Sequence, residues 1–297
     1  MGKLNYVKLP FYLKIIGLFS VVRGYNVLTL VIAQYLTSIF VFNPNVPYLD
    51  VVLDFNLFLI VLASVCVVSS GYIINNFYDT DTDRINKPIK ARLDGLVGQQ
   101  TKLYIYFTLN FIGVAIAFVV SWKAAAFFAG YIFLIWFYSH KLRRFPLISL
   151  VYASILMLLP FFVIFIYYKN FSTDIFIHAI YLFFLIVLRE LLKNLENLTG
   201  DVLTEHITVP IEFGERFTKR FIYVLILLLV LPMYYLVQKG DIGLMKYYFY
   251  LSFVVLMLVG LYLRKAKTKT LYLILHNAVK LLIFAGVFSL ILIRLHF

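Results

Sequence analysis

The chain has 297 residues, of which 63% are hydrophobic and only 14% charged. A soluble globule would be about a quarter charged, and several apolar runs reach the roughly 18 to 20 residues needed to cross a bilayer. An all-α, multi-pass membrane helix bundle is the expected fold class. A membrane β-barrel would show short alternating segments, and none are visible. The net charge of +13 does not imply nucleic acid as a partner. Its basic residues stand at the ends of apolar segments, where they set topology and meet lipid headgroups. Cys66 is the only cysteine, so no internal disulfide forms. No cleavable signal peptide is expected, because the first apolar run follows Lys3, Lys8 and Lys14 and continues past Arg23 without a small-residue cleavage site.

Nine membrane helices are predicted, near 15–41, 54–77, 103–121, 124–139, 147–167, 173–193, 220–238, 246–263 and 271–293. Their connections alternate in character. The segments 78–102, 140–146, 194–219 and 264–270 are basic, whereas 42–53, 168–172 and 239–245 are short and poor in positive charge. Of the 27 Lys and Arg residues, 20 fall on one side of the bundle and five on the other, with Arg23 and Lys280 inside helices. That excess places the N-terminus and both long loops in the cytoplasm, and the C-terminus outside. The expected location is the cell (inner) membrane. Residues 1–297 read as one transmembrane domain, and the bilayer itself is a partner.

Ten of the 14 acids lie in or just before two of these basic regions, Asp79, Asp81, Asp83 and Asp94 in the first and Glu190, Glu196, Asp201, Glu205, Glu212 and Glu215 at the second. The first opens with residues 75–88, NNFYDTDTDRINKP, in which Asn75, Asp79 and Asp83 recur at i, i+4 and i+8. On a helix these positions drift only about 40° per step and share one face. In the second region, Glu190, Asn194, Asn197 and Asp201 recur at i, i+4, i+7 and i+11. Lys193 flanks this stripe, while Glu196 points away from it. The plain reading of acids at helix ends is pairing with neighbouring Lys and Arg. Two stripes of oxygen ligands with flanking cations suit a further role, jointly holding Mg²⁺ and a diphosphate.

These segments resemble motifs of the UbiA-type intramembrane prenyltransferases. Asn75, Asp79 and Asp83 match the pattern NDxxDxxxD, followed by Arg84, Ile85, Asn86, Lys87, Pro88 and Gly95 in a DRINRP-like run. Lys193, Gly200 and Asp201 resemble KDxxDxxGD, and Thr208, Val209, Pro210 and Gly214 resemble the stretch after it. Arg23 and Asn26 resemble an Arg-x-x-Asn pattern. Tyr138, Ser139, Lys141, Arg143 and Arg144 resemble a YSxxLK stretch. The resemblance covers residues 20 to 215. Asn76, Asn194 and Asn197 depart from it, standing where the motifs have Asp, and Ala91 and Leu93 replace prolines.

The resemblance implies Mg²⁺-dependent transfer of a prenyl group from an isoprenyl diphosphate to a lipophilic acceptor. The DRINKP run resembles most the branch whose acceptor is a glycerol-phosphate ether lipid such as geranylgeranylglyceryl phosphate. An aromatic quinone precursor is the alternative acceptor. A non-catalytic relative or a cation-handling membrane protein is the alternative of another class. By the same resemblance Asp79, Asp83 and Asp201 are the catalytic metal ligands, with Asn75, Asn194 and Asn197 as neutral partners. Arg23, Arg84, Lys87, Lys141, Arg143 and Lys193 are assigned to the diphosphate. Asn26, Tyr72, Asn76, Tyr138 and Glu190 are assigned to substrate, the two tyrosines shielding a carbocation. Restoring Asn76, Asn194 and Asn197 to Asp is expected to lower the Mg²⁺ requirement. Among the histidines, His140, His178, His206, His276 and His296 read as interfacial or packing residues. Lys280 and Asn277 read equally as functional groups or as a snorkelling lysine and an interhelical contact.

Overall fold

A computed structural model describes residues 10–239 and 241–295, so Lys3, Lys8 and His296 lie outside the described residues. Among those described, nine helical segments are long and apolar enough to cross a membrane. In chain order the helices are α1 (Phe11–Val21), α2 (Gly24–Thr37), α3 (Tyr48–Val52), α4 (Phe55–Asn86), α5 (Pro88–Asp94), α6 (Gln99–Val120) and α7 (Trp122–His140). There follow α8 (Pro146–Tyr168), α9 (Thr173–Leu203), α10 (Val209–Glu212), α11 (Gly214–Lys239), α12 (Lys246–Lys265) and α13 (Lys269–Ser289). The expected multi-pass all-α bundle is present. The protein is an integral multi-pass membrane protein.

Three boundaries that differ from expectation shape the site. The run at 15–41 is two helices, because Arg23 adopts a left-handed backbone, φ 50° and ψ 55°. Its carbonyl opens α2 by accepting from the Asn26 N–H at 2.7 Å. Such a conformation costs a non-glycine residue about 1 kcal/mol or more. Here it turns the guanidinium over the Tyr72 ring, 5.2 Å from its centre. In addition, the polar segments after 77 and 193 continue as helix rather than loop. At 32 and 31 residues, α4 and α9 are each about 47 Å long, against an apolar bilayer core of about 30 Å. Their C-terminal turns thus carry both stripes out of the hydrocarbon, side by side.

Local chemistry fixes where these rods begin and end. Asp54 caps α4 by accepting from the backbone N–H groups of Asn56 and Leu57 at 3.0 and 3.3 Å. Pro88 disfavours helical backbone at the residue before it, so Lys87 leaves the helix, φ −139° and ψ 64°. The chain then folds back as α5. Inside α8, Pro160 has no N–H for the carbonyl of Leu156. Tyr131 Oη of α7 donates to that carbonyl at 2.9 Å, and Gln34 Nε2 of α2 donates to the Pro160 carbonyl at 2.7 Å.

The described residues pack as two large apolar clusters, with a small third formed by Val21, Ile73 and Tyr106. Of the large two, one is built mainly from α2, α4, α6, α7 and α8, the other mainly from α9, α11, α12 and α13. Small residues bring α4 and α6 close. A Cβ at Gly113 would meet Val67 Cγ2 at 3.0 Å and Cys66 Cβ at 3.2 Å. A cavity of about 1010 Å³ lies on the seam between the clusters, lined by α2, α4, α7, α8, α9 and α13.

Candidate active site

One end of the cavity is polar and the other apolar. Its wall on α8 runs from Pro146 to Phe161, about 22 Å along a helix. Leu28 of α2, Met157 of α8, and Leu281 and Phe284 of α13 line the cavity and are also exposed on the outer surface. The cavity thus opens sideways, toward lipid. At the polar end the two stripes meet. Thr82 and Thr204 are joined by a 2.9 Å hydrogen bond. Asn86 Nδ2 donates to the Asn197 carbonyl at 3.1 Å and to Asp201 Oδ1 at 3.3 Å. This approach needs Gly200, since a Cβ there would collide with the Asn86 amide.

Of the residues assigned to the site from sequence, Arg23, Asn26, Tyr72, Asn75, Asp79, Asp83, Lys87, Tyr138, Arg143, Glu190, Lys193, Asn194, Asn197 and Asp201 all line this cavity. Arg143 Nη2 donates to Asp79 Oδ1, closing an ion pair between the turn after α7 and α4. Lys193 Nζ and Arg189 Nη1 hold the two oxygens of Glu190 at 2.8 and 2.9 Å. Ser139 Oγ donates to Asn75 Oδ1 at 2.8 Å. Glu196 points away from the stripe as expected and meets His276 Nδ1 at 2.7 Å.

Three of the assigned residues lie off the cavity wall. Arg84 is exposed and pairs with Asp81 at 3.2 Å, outside the cavity. Lys141 is also exposed and absent from the wall. Asn76 is buried but faces α5 and α6: its Nδ2 donates to Asp94 Oδ2 at 2.7 Å and its Oδ1 accepts from Lys102 Nζ at 2.8 Å. Arg84 and Asn76 each follow a stripe residue by one position, so both sit about 100° around the helix from the cavity face.

The network that captures Asn76 contains residues the sequence did not single out. Asp94 also accepts from Ser20 Oγ of α1 at 2.7 Å and from Lys90 Nζ at 2.6 Å. Lys90 in turn reaches Asp83 Oδ2 at 2.9 Å, with Lys87 Nζ 3.8 Å from Asp83 Oδ1. These contacts depend on α5 folding back after Pro88, which no local pattern announces. Asn86 did carry a signal, continuing the first stripe at i+11 from Asn75. His206 did not. It lies in the loop after α9, yet it lines the cavity and its Nε2 accepts from Arg143 Nε at 3.0 Å. This replaces its reading as an interfacial or packing residue.

The electrostatics favour an anion. Arg23, Lys87, Arg143, Arg189 and Lys193 crowd one end of a single cavity. Burial pushes the Lys87 ammonium down to about 8, with Lys193 and Arg23 adding to the effect and Asp83 and Glu196 opposing it. Burial likewise lowers Arg143 to about 10 despite Asp201. Cations held at this cost are relieved when an anion enters.

Comparison with known proteins identifies the family. The sequence profile of the UbiA prenyltransferase family matches residues 27–291. The chain belongs to this family. Among curated relatives, the digeranylgeranylglyceryl phosphate synthase of Pyrococcus horikoshii is 29% identical over 148 residues, covering 50% of this chain and 53% of the relative. That of Methanobrevibacter smithii is 26% identical over 207 residues, covering 66% and 69%. The matched region is about half the length of several such relatives. Among solved structures, one from work on digeranylgeranylglyceryl phosphate synthase in membranes superposes with a TM-score of 0.71 at 18% identity, covering 95% of this chain and 98% of that one. A UbiA homolog from Archaeoglobus fulgidus bound to GPP and Mg²⁺ gives 0.67 at 15% identity, covering 93% and 99%. These two likenesses establish the UbiA fold over nearly the whole chain.

Within this UbiA fold the donor set suits a hard cation shared with substrate. Among the described residues, no three acidic, histidine or cysteine side chains form a ready-made metal cluster. The carboxylates are instead paired with cations or amides. Asn197 Oδ1 is buried in the cavity wall without a hydrogen-bond partner. An all-oxygen set with an unspent amide oxygen fits Mg²⁺, which binds through few protein ligands and completes its shell with phosphate and water.

Proposed function

We propose that this chain catalyses Mg²⁺-dependent transfer of a prenyl group from an isoprenyl diphosphate to a lipophilic acceptor bearing glycerol phosphate, within the membrane. The observation that carries this reading is the cavity itself: carboxylates and cations at one end, about 22 Å of apolar wall leading from it, and a side opening toward lipid. A diphosphate with a long apolar tail has that same polarity along its length. The relatives named digeranylgeranylglyceryl phosphate synthase support the acceptor. The homolog bound to GPP and Mg²⁺ supports donor and cation.

Asp79, Asp83 and Asp201, with Asn75, Asn194 and Asn197, would hold Mg²⁺ between the stripes. Bound there, Mg²⁺ supplies neutralisation of the charge that develops on the departing diphosphate. Arg143, Lys193, Lys87 and Arg23 bind the remaining diphosphate oxygens, a preorganised electrostatic task. The allylic C–O bond breaks with its electron pair leaving on diphosphate. The acceptor hydroxyl oxygen then forms the new C–O bond and releases its proton to the departed diphosphate. Tyr72, Tyr131 and Tyr138 line the cavity beside the stripes and shield the cationic carbon from water.

Residues 1–297 act as one prenyltransferase unit in the cell membrane, with the polar end of the cavity on the cytoplasmic side. The supporting observation is that the polar end of the bundle also carries Arg84, Lys87, Lys90, Arg92, Arg144 and Lys269. The test is transfer of radiolabelled prenyl diphosphate by membranes containing wild type or Asp79→Ala, with and without Mg²⁺. The reading expects Mg²⁺-dependent product from wild type and a loss of at least about a hundredfold in the variant. Equal transfer by both would remove Asp79 from the metal site.

A further inference from the structure

Lys280 lines the cavity and has no part in the chemistry above. Lys280 lies eleven residues into α13, about 16 Å along the helix from Lys269, near the middle of an apolar core about 30 Å thick. An ammonium group at such depth is costly and is functional unless its needs are otherwise met. Lys87, Arg143 and Lys193 each have a carboxylate partner. Among the described residues, Lys280 has none. Its Nζ sits 4.6 Å from the centre of the Tyr25 ring, a cation–π contact at the exposed edge of α2. Asn277 precedes Lys280 by three positions and shares its helix face. Both line the cavity, as does Tyr25. Among the described residues, neither the Asn277 amide nor the Tyr25 hydroxyl has a hydrogen-bond partner.

An ammonium, an amide and a phenol are therefore unspent at one place, and it is a particular place. Leu28, Leu281 and Phe284, adjacent on α2 and α13, are exposed and line the same opening. A lipid entering sideways passes this point before its head reaches the stripes. Convergent donors carrying one positive charge suit a phosphate monoester, which offers acceptors and negative charge together. A neutral aromatic acceptor would leave the ammonium unpaired.

We propose that Lys280, with Asn277 and Tyr25, is the subsite that receives the phosphate of an anionic acceptor lipid at the lateral mouth of the cavity. This rests on the acceptor reading given above and assigns it a residue. It also predicts two separate anion sites, with the donor diphosphate held by Arg143 and Lys193 and the acceptor phosphate held by Lys280.

The test uses purified full-length protein in lipid nanodiscs, with geranylgeranylglyceryl phosphate and its unphosphorylated counterpart as probes. Wild type should bind the phosphorylated lipid more tightly. Lys280→Met should weaken that binding about tenfold or more and leave the unphosphorylated lipid unchanged. Lys280→Arg should retain most of it, and Asn277→Leu provides a second, milder loss in a variant that keeps the lysine. Inorganic phosphate at millimolar concentration should compete poorly, because the apolar mouth contributes to lipid binding; full competition would assign the site to free phosphate instead. In turnover, Lys280→Met should raise KM for the acceptor and leave KM for the prenyl diphosphate unaltered. Equal affinity of wild type and Lys280→Met for the phosphorylated lipid, or a rise in diphosphate KM alone, would overturn the proposal. Lys280-dependent binding without any prenyl transfer would keep the subsite and overturn the reaction assigned above.

Discussion

Asn76→Asp separates two accounts of the amides that replace family carboxylates. Read from the motif alone, this change restores a charge to the metal face and lowers the Mg²⁺ requirement. In the structure, Asn76 is buried away from the cavity, its Nδ2 2.7 Å from Asp94 Oδ2 and its Oδ1 2.8 Å from Lys102 Nζ. A second carboxylate here would face Asp94 at about 4 Å between charge centres, a repulsion of about 4 kcal/mol at an effective dielectric constant of about 20. Lys102 offsets a similar amount, since it gains a full negative charge as partner. What remains uncompensated is the hydrogen bond from the amide to Asp94, worth about 1.5–3 kcal/mol for a charged acceptor. Asn76→Asp should therefore lower unfolding stability in detergent by about that amount, without reducing the Mg²⁺ concentration that gives half-maximal transfer. Asn194→Asp and Asn197→Asp, which do line the cavity, should reduce that concentration. A reduced Mg²⁺ requirement in Asn76→Asp with unchanged stability would refute this reasoning.

Other consequences follow from the same geometry. Burial lowers the Lys87 ammonium to about 8, and a bound diphosphate favours its charged form. Diphosphate affinity should be flat below about pH 8 and fall by up to tenfold per pH unit above it, as read by isothermal titration; Lys87→Arg should flatten this profile. Gly200→Ala should push the Asn86 amide off α9, costing about 1–3 kcal/mol in thermal unfolding and lowering kcat because the stripes separate. Lys90→Met should weaken the hold on Asp83 and raise the Mg²⁺ concentration needed for half-maximal transfer; an unchanged Mg²⁺ titration would remove Lys90 from any positioning role.

Both stripes were legible in the sequence because helical periodicity is local. Asn75, Asp79 and Asp83 share a face whatever the rest of the chain does, and so do Glu190, Asn194, Asn197 and Asp201. The same periodicity, applied strictly, would also have set Asn76 and Arg84 aside, each one residue past the stripe. What could not be read locally depends on chain reversals. The left-handed turn at Arg23 divides an apolar run that looks continuous, since nothing in composition marks a single backbone conformation. The fold-back of α5 after Pro88 brings Lys90 to Asp83 and Asp94 to Asn76, and the loop after α9 brings His206 to Arg143. Polar composition also concealed that α4 and α9 stay helical beyond the hydrocarbon. Those last turns look like loop by hydropathy but are held by each other, through Thr82 with Thr204 and Asn86 with Asn197.

The most direct test of the central claim offers one membrane preparation two acceptors at once. Vesicles containing the wild-type protein, radiolabelled geranylgeranyl diphosphate and Mg²⁺ receive equal amounts of geranylgeranylglyceryl phosphate and an aromatic quinone precursor, and the labelled products are separated by mass. The account predicts label on the glycerol-phosphate lipid through a new ether bond, dependent on Mg²⁺ and lost in Asp79→Ala. Label on the aromatic acceptor, or on neither, would contradict it.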